Sequence, residues 1–449
     1  METGGPRRVL TLFDASCLTV GIIVGAGIYQ TAPAVAAGAG SAWGVLAIWL
    51  AGGLLSLCGA LGYAELATAL PRQGGDLVYL SRAYGPWAGF LFGWIQTLIV
   101  RPGDIAVMAF AVAIYARAVL GAGAPDARAL AIGAVLALTG VNLLGVRMGK
   151  WTQNLLTVTK LLGLLTVVAA AALVPAAPSA SPAPAGGAPT LPLSVALILV
   201  LFTYGGWNEM VYVAAEVRDP RRNLVRALIL GTAGVTLLYL LANGAFLRAL
   251  GYRGLADAEA VAVAAVAGAA PEQGARLVGG LICLSALGAL SGLVFAGARI
   301  AYALGLDHRA FRVLGRWSAR RGSPPAALAC QGLIAMALIL ILGSFVETLL
   351  YTAAAVYLFY FATSVAVIVL RRREPQLERP FRVPGYPWPI LAFGATCLFL
   401  IRAAVAYRPQ AAAAAAGLIL LGLPAYWWSV RRGDRPSPGD QIANPSHYR

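Results

Sequence analysis

The chain has 449 residues, of which 59% are hydrophobic and only 12% charged, and its mean hydropathy is +0.76. A water-soluble domain of this length needs far more polar surface, so a soluble enzyme or scaffold is excluded. The formal net charge of +16 raises nucleic acid as a partner, and the placement of the charges argues against it.

A hydrocarbon core takes about 20 apolar residues per helix. Twelve segments meet that measure, so the expected fold class is all-α and polytopic. An arm, 1–9, carries Arg7 and Arg8, and no cleavable signal peptide is expected before the first span. The first five spans are 10–35, 44–70, 88–120, 129–146 and 151–174, within a unit covering 10–174. A Pro-, Ala- and Gly-rich stretch, 175–192, reads as a flexible outer connector. A second unit, 193–370, holds 193–216, 224–249, 274–304, 326–345 and 347–370. Inside it, "YRGLADAEAVAVAAVAG" (252–268) is too polar at its start to cross and reads as an outer helix over the bundle. A basic loop, 371–387, leads to accessory spans 388–407 and 410–430, and a polar tail, 431–449, closes the chain.

With the N-terminus inside, 25 of the 34 lysines and arginines fall in or beside the arm, the even-to-odd loops and the tail; seven fall at the opposite face, and Arg101 and Lys160 fall within spans. That asymmetry is the positive-inside rule and predicts both termini in the cytoplasm. Anionic lipid suffices for "RDPRRN", "RWSARR" and "RRREP", and nucleic acid is not required. All five cysteines lie in spans without metal-ligand spacing and read as packing residues. His308 and His447 lie outside the spans, so histidine relays are not expected. No P-loop, metal or acid–base constellation is present, and neither enzyme activity nor a cofactor is expected.

The first span reads "TVGIIVGAGIYQ", with Gly21, Gly25 and Gly27, each weakening a helix interior by about 0.5–1 kcal/mol relative to alanine. Gly21 and Gly25 form a GxxxG pattern, which alone favours close helix packing. The sixth span, "LILVLFTYGGWNEMVYVAAE", is interrupted by Gly205 and Gly206, 180 residues after the first interruption and also in the first span of its five-span unit. Paired breaks in corresponding positions point to inverted repeats with substrate bound at the breaks. Inside lipid, a broken helix exposes N–H and C=O groups costing several kcal/mol each unless bound. A zwitterionic amino acid matches them: N–H groups at a half-helix start hold a carboxylate, and C=O groups at a half-helix end accept from an ammonium.

"GIIVGAGIY", "LPRQGGDLVYLSRAYG" (70–85) and "FTYGGWNEMVYVAAEVRDPRRNL" (202–224) resemble the amino acid–polyamine–organocation superfamily, and "RPGDIAVMAFAVAIY" and "SALGALSGLVFAGAR" fit its L-type amino acid transporter branch. The resemblance implies the LeuT-like 5+5 fold with helices 1 and 6 broken. It places the substrate carboxylate on the N–H groups of Ala26 and Gly27 and its ammonium on the carbonyls of Ile23, Phe202 and Gly205, with the Phe202 ring as a lid. Gly25, Thr203 and Asn208 complete the implied substrate site. Ala26 stands where a serine is common, and Glu209 where eukaryotic members carry a non-acidic residue. Those members join a heavy subunit through a cysteine after span three; "GAGAPDAR" (121–128) has none, so no covalent partner is expected.

Arginine outnumbers lysine 32 to two, which singles out Lys160, about nine residues or 13 Å into span five and near the midplane. One reading makes it a permanent cation in the place where sodium-coupled relatives hold an ion, bridging the first and eighth spans, with Gly21, Ser285 and Ser291 as candidate neighbours. The other makes it a titrating group for proton-coupled symport. The likeness of "VTKLLGLL" to the sodium-independent pattern favours the first. Arg101 and Asp104, at i, i+3, are expected to neutralise each other. Glu65 fits an interface role at the inner end of span two, and Glu209 is a candidate proton or specificity site. The expected function is exchange or permeation of neutral amino acids by a secondary transporter in a bacterial inner membrane. A channel, which would want a continuous polar lining, or a sensor are the alternatives.

Overall fold

A computed structural model describes residues 7–72, 74–175, 191–258, 260–266, 273–342, 345–407 and 409–431. The central part of the 175–192 connector and all but the first residue of the 431–449 tail, with His447, lie outside the described residues.

The first span is two helices, α1 (Leu12–Ile23) and α2 (Gly27–Ala39), bent by 45° across Val24–Ala26. Thr11 and Asp14 start α1 with a capping box, each side chain accepting from the other's backbone N–H. Next come α3 (Ala42–Ala69) and α4 (Asp76–Tyr84), a short helix between spans. The third span runs through α5 (Pro86–Ile95), a π turn at Gln96–Val100 and α6 (Arg101–Leu120). Pro102 lacks an N–H and its ring crowds the preceding turn, which accounts for the widened helix there. Then follow α7 (Ala127–Leu143) and α8 (Val146–Leu173).

The sixth span is interrupted as well. Helix α9 (Leu193–Thr203) ends in a turn at Tyr204–Gly206, and Trp207–Glu216 continues as a 3₁₀ helix. Runs of 3₁₀ longer than three or four residues are uncommon, so this ten-residue run marks a half-span held by its surroundings. Beyond it stand α10 (Pro220–Ala256), kinked at Gly251, α11 (Val261–Val266), α12 (Gln273–Asp307), α13 (Pro325–Leu342), α14 (Phe345–Arg373), α15 (Trp388–Tyr407) and α16 (Pro409–Arg431). The polar start of the 252–268 stretch prolongs α10, and α11 packs its valines and alanines onto α2, α8 and α12.

Among the described residues, nine helices are long and apolar enough to cross a bilayer, and the bent pair makes a tenth. Two shorter apolar helices, Ala127–Leu143 and Pro325–Ile341, stand where the fourth and ninth spans are expected. This is an all-helical multi-pass membrane protein. Among the nine unpaired candidates the third and eighth spans are the most buried, and α15 and α16 the least. Leu10, just before α1, exchanges backbone bonds with Glu216 (2.9 Å) and Arg218 (2.8 Å), so the two broken spans meet at the arginine-rich end of the bundle.

Candidate functional site

The breaks lie side by side. A Cβ on Gly27 would stand 3.2 Å from Thr203 Cγ2, and one on Gly206, whose φ is +98°, would press on Ile22. Thr31 and Thr203 share a hydrogen bond between hydroxyls at 2.9 Å. The buried Tyr239 hydroxyl of α10 donates toward two carbonyls, Ile23 (2.9 Å) and Thr203 (3.3 Å), one from each broken span. Sequence reasoning missed Tyr239, because nothing local marks a tyrosine that reaches across from span seven.

Helix α2 begins at the break. Its first i→i−4 bond runs from Gln30 N–H to Ala26 C=O (3.2 Å), so the N–H groups of Ala26, Gly27 and Ile28 precede that ladder, at the positive end of the helix dipole. The carbonyl ends of α1 and α9 face the same region. In this conformation the Ile23 carbonyl accepts from Gly25 N–H (2.9 Å) as well as Tyr239, and the Phe202 carbonyl accepts from Gly205 N–H (2.8 Å). Val24 C=O accepts from Ser285 (3.2 Å). Ile23, Gly25, Ala26, Gly27, Thr203 and Asn208 are buried, whereas Phe202 and Gly205 are half-buried.

Lys160 is buried on α8, and its ammonium donates to the Gly21 carbonyl of α1. A Cβ on Gly288 of α12 would lie 2.9 Å from Lys160 Nζ, so the ammonium stands between the first, fifth and eighth spans. The two serines do not join it: Ser285 serves Val24, and Ser291 Oγ is buried with no hydrogen-bond partner among the described residues.

The contact between α8 and α1 is polar along its length. Lys150 Nζ (3.1 Å) and Asn154 Nδ2 (2.6 Å) both donate to Asp14, Thr157 donates to the Cys17 carbonyl (3.0 Å), and Lys160 follows at Gly21. These positions recur every three to four residues and so share one face of α8. Gly21 is required there, because a Cβ would overlap Gln153 and Thr157. A small cavity opens at the arginine-rich end of this contact, lined by Asp14, Lys150, Gln153 and Asn154 among others.

Glu209 departs from expectation. Its Oε1 lies 2.7 Å from Arg101 Nη1, both side chains being buried, while Asp104 lies 3.8 Å from the same nitrogen. Arg101 is thus neutralised chiefly across spans, because the 3₁₀ half-span brings Glu209 closer than the i, i+3 neighbour comes. Nearby, Asn208 donates to the Tyr212 hydroxyl (2.9 Å) and accepts from Tyr360 (2.8 Å).

Two further buried charges hold the arginine-rich end. Glu65 accepts from Arg371 (2.8 and 2.5 Å) and from Val383 N–H (2.8 Å), tying the 371–387 loop to α3 as an interface residue should. Glu216 pairs with Arg299 through two hydrogen bonds of 2.9 and 3.2 Å, and that guanidinium also lies 4.0 Å from the Phe295 ring centroid. The five cysteines are free, with Cys17 and Cys397 buried. Among the described residues, no group of His, Cys, Asp and Glu could hold a metal ion.

The chain is similar to known transporters along most of its length. The mouse (Mus musculus) b(0,+)-type amino acid transporter 1 is 31% identical over 422 residues, covering 91% of this chain and 85% of that protein. The large neutral amino acids transporter small subunit 2 of Oryctolagus cuniculus is 30% identical, covering 96% of this chain and 82% of its own length. The serine/threonine exchanger SteT of Bacillus subtilis (strain 168) is 29% identical, covering 96% and 99%. A family model described as amino acid permease matches residues 10–430, from the strand-like contact before α1 to the end of α16. A match unbroken from the first half-span to the last helix leaves one assignment: the chain belongs to the amino acid permease family.

Proposed function

We propose that the protein is a secondary transporter of neutral amino acids that works by exchange and alternating access. The observation that carries this reading is the meeting of two broken spans, with unladdered N–H groups at the start of α2 beside the carbonyl ends of α1 and α9. In it, Ala26 and Gly27 N–H groups take the substrate carboxylate. The carbonyls of Ile23 and Phe202, after releasing their present bonds, and that of Gly205 take its ammonium, and Phe202 covers the site. Gly25 leaves room for the substrate, Thr203 floors it, and Asn208 lines its lower edge. Glu209, just beyond the sixth-span break, is committed to Arg101, which supports neutral substrates. The names of the relatives above, which include an exchanger, support exchange.

Lys160 supports sodium independence, because its ammonium already holds the Gly21 carbonyl between spans one, five and eight. The arginine distribution supports cytoplasmic termini, and the composition a bacterial plasma membrane. The absence of cysteine in 121–128 supports action without a covalently attached partner chain.

The test is uptake of labelled amino acids into proteoliposomes, with and without internal amino acid and with and without sodium or proton gradients. Exchange predicts saturable uptake, stimulated by internal substrate and indifferent to sodium. Uptake driven by a proton gradient without internal substrate would replace exchange by proton symport through Lys160 or Glu209. Flux that never saturates would replace a carrier by a pore.

A further inference from the structure

One buried carboxylate is left over. Asp76, the first residue of α4, is 0% exposed, and no lysine or arginine pairs with it among the described residues. Its position is forced by the two glycines before it. Gly74 and Gly75 have φ of +103° and +50°, and Cβ atoms there would come within 2.8 Å of Ala303 and 2.6–2.7 Å of Val211 and Tyr212. Only glycines let the chain approach the 3₁₀ half-span so closely and turn Asp76 inward.

Three hydroxyls from three spans converge on it. Oδ1 accepts from Tyr63 of α3 and from Thr363 of α14 (2.5 Å), and Oδ2 accepts from Tyr212 of the half-span (2.8 Å). Burial raises the carboxyl above its ordinary value, and the three hydroxyl bonds, which favour the ionised form, offset that rise only in part. An ionised carboxylate only accepts, so each hydroxyl must donate to it. Tyr212, its proton committed to Oδ2, is left to accept from Asn208 Nδ2, and Asn208 Oδ1 is left to accept from Tyr360. The polarity of the whole chain, including which way the Asn208 amide faces, is set at its far end.

We propose that Asp76 is a positioning residue of the transport site: through Tyr212 it fixes the Asn208 amide at the foot of the broken sixth span. The inference rests on the transport reading above and adds a residue outside the spans to it. The same bonds tie α4 to the half-span and to spans two and ten.

The test compares variants in proteoliposomes, reading KM and Vmax for a transported amino acid alongside thermal stability in detergent. Asp76→Asn places an N–H donor where only acceptors stood, and Tyr212→Phe removes the relay. Each is expected to raise KM about tenfold, the loss of one buried charged hydrogen bond, with a smaller change in Vmax. The double variant is expected to be no worse than the weaker single one, because both cut one chain. Tyr63→Phe and Thr363→Val each leave Oδ1 one donor and Oδ2 untouched, so their KM is expected to change less than about threefold, whatever stability they lose. Equal KM effects in all four single variants, or an additive effect of about a hundredfold in the double, would make Asp76 a mere anchor and overturn the proposal. Should Asp76→Asn fail to fold, Tyr212→Phe, which leaves the carboxylate its two donors at Oδ1, still decides through its KM against that of Tyr63→Phe. Failure of the transport reading looks different: the wild-type vesicles themselves would show no saturable uptake.

Discussion

Gly206→Ala measures how firmly the sixth span is held in its broken form. At φ +98° an L-residue pays about 1–2 kcal/mol for a left-handed backbone. The new methyl would also stand 2.5 Å from Ile22 Cγ2, with Ile22 Cβ at 3.3 Å and its carbonyl carbon at 3.4 Å. Rotating the isoleucine does not clear its Cβ or backbone, so overpacking adds about 1–3 kcal/mol. The total, about 2–5 kcal/mol, falls where spans one and six cross. Thermal unfolding followed by size-exclusion chromatography should therefore shift down by many degrees, and uptake per folded molecule should be lost. Gly25→Ala is the matched control. Its Cβ would meet Ala289 at 3.4 Å and Met108 Sδ at 3.6 Å, ordinary contact distances, and its φ is not in the left-handed region. That variant should keep its thermal stability while losing uptake, because the methyl occupies substrate space. Wild-type stability and uptake in Gly206→Ala would refute the reading that only glycine fits where the sixth-span turn meets Ile22.

Other expectations follow from single contacts. Arg299→Met breaks the buried ion pair with Glu216 and should destabilise by about 3–5 kcal/mol, whereas Arg299→Met with Glu216→Leu should recover most of it; thermal unfolding of the three proteins checks this. Gly288→Ala would crowd Lys160 Nζ (2.9 Å) and Cε (3.2 Å) and should depress exchange as Lys160→Met does, so exchange at wild-type rate in Gly288→Ala would show that the ammonium's place is not critical. Lys150→Met removes a partly exposed ion pair with Asp14 and should cost less than about 1 kcal/mol. With Cys58, Cys283, Cys330 and Cys397 replaced by alanine, alkylation of Cys17 by a membrane-impermeant maleimide from the arginine-rich side should rise severalfold in Lys150→Met. Unchanged labelling would remove the α1–α8 contact from the opening path.

The spans were legible because a bilayer demands about 20 apolar residues in a row and the chain supplies little else. The breaks were legible too, since the glycines at 25 and 27 recur as Gly205 and Gly206 at the corresponding place of the second unit, beyond what helix packing asks for. What lay beyond reach are contacts between elements far apart in sequence. Tyr239 binds carbonyls 216 and 36 residues away, and Arg299 finds Glu216 83 residues back, with nothing local to announce either. Arg101 shows the hazard of neighbour rules: Asp104 is the helical neighbour, yet a 3₁₀ turn in another span puts Glu209 nearer. The hydroxyls of Ser285 and Ser291 lie on the expected helix near Lys160, but the rotation of α12 sends Ser285 to Val24 instead. The polar face of span five, Lys150, Asn154, Thr157 and Lys160, was written at helical spacing and needed only a partner to become readable.

That face governs how water treats the joint between α1 and α8. A carbonyl losing the Thr157 hydroxyl or the Lys160 ammonium can take a water molecule in exchange at small enthalpic loss. A leucine zipper in the same place would expose oily surface at roughly 25 cal/mol per Å² whenever it parted. The joint therefore clings while dry and wets cheaply, so the first half-span can peel away and reseat many times without a large toll on either stroke.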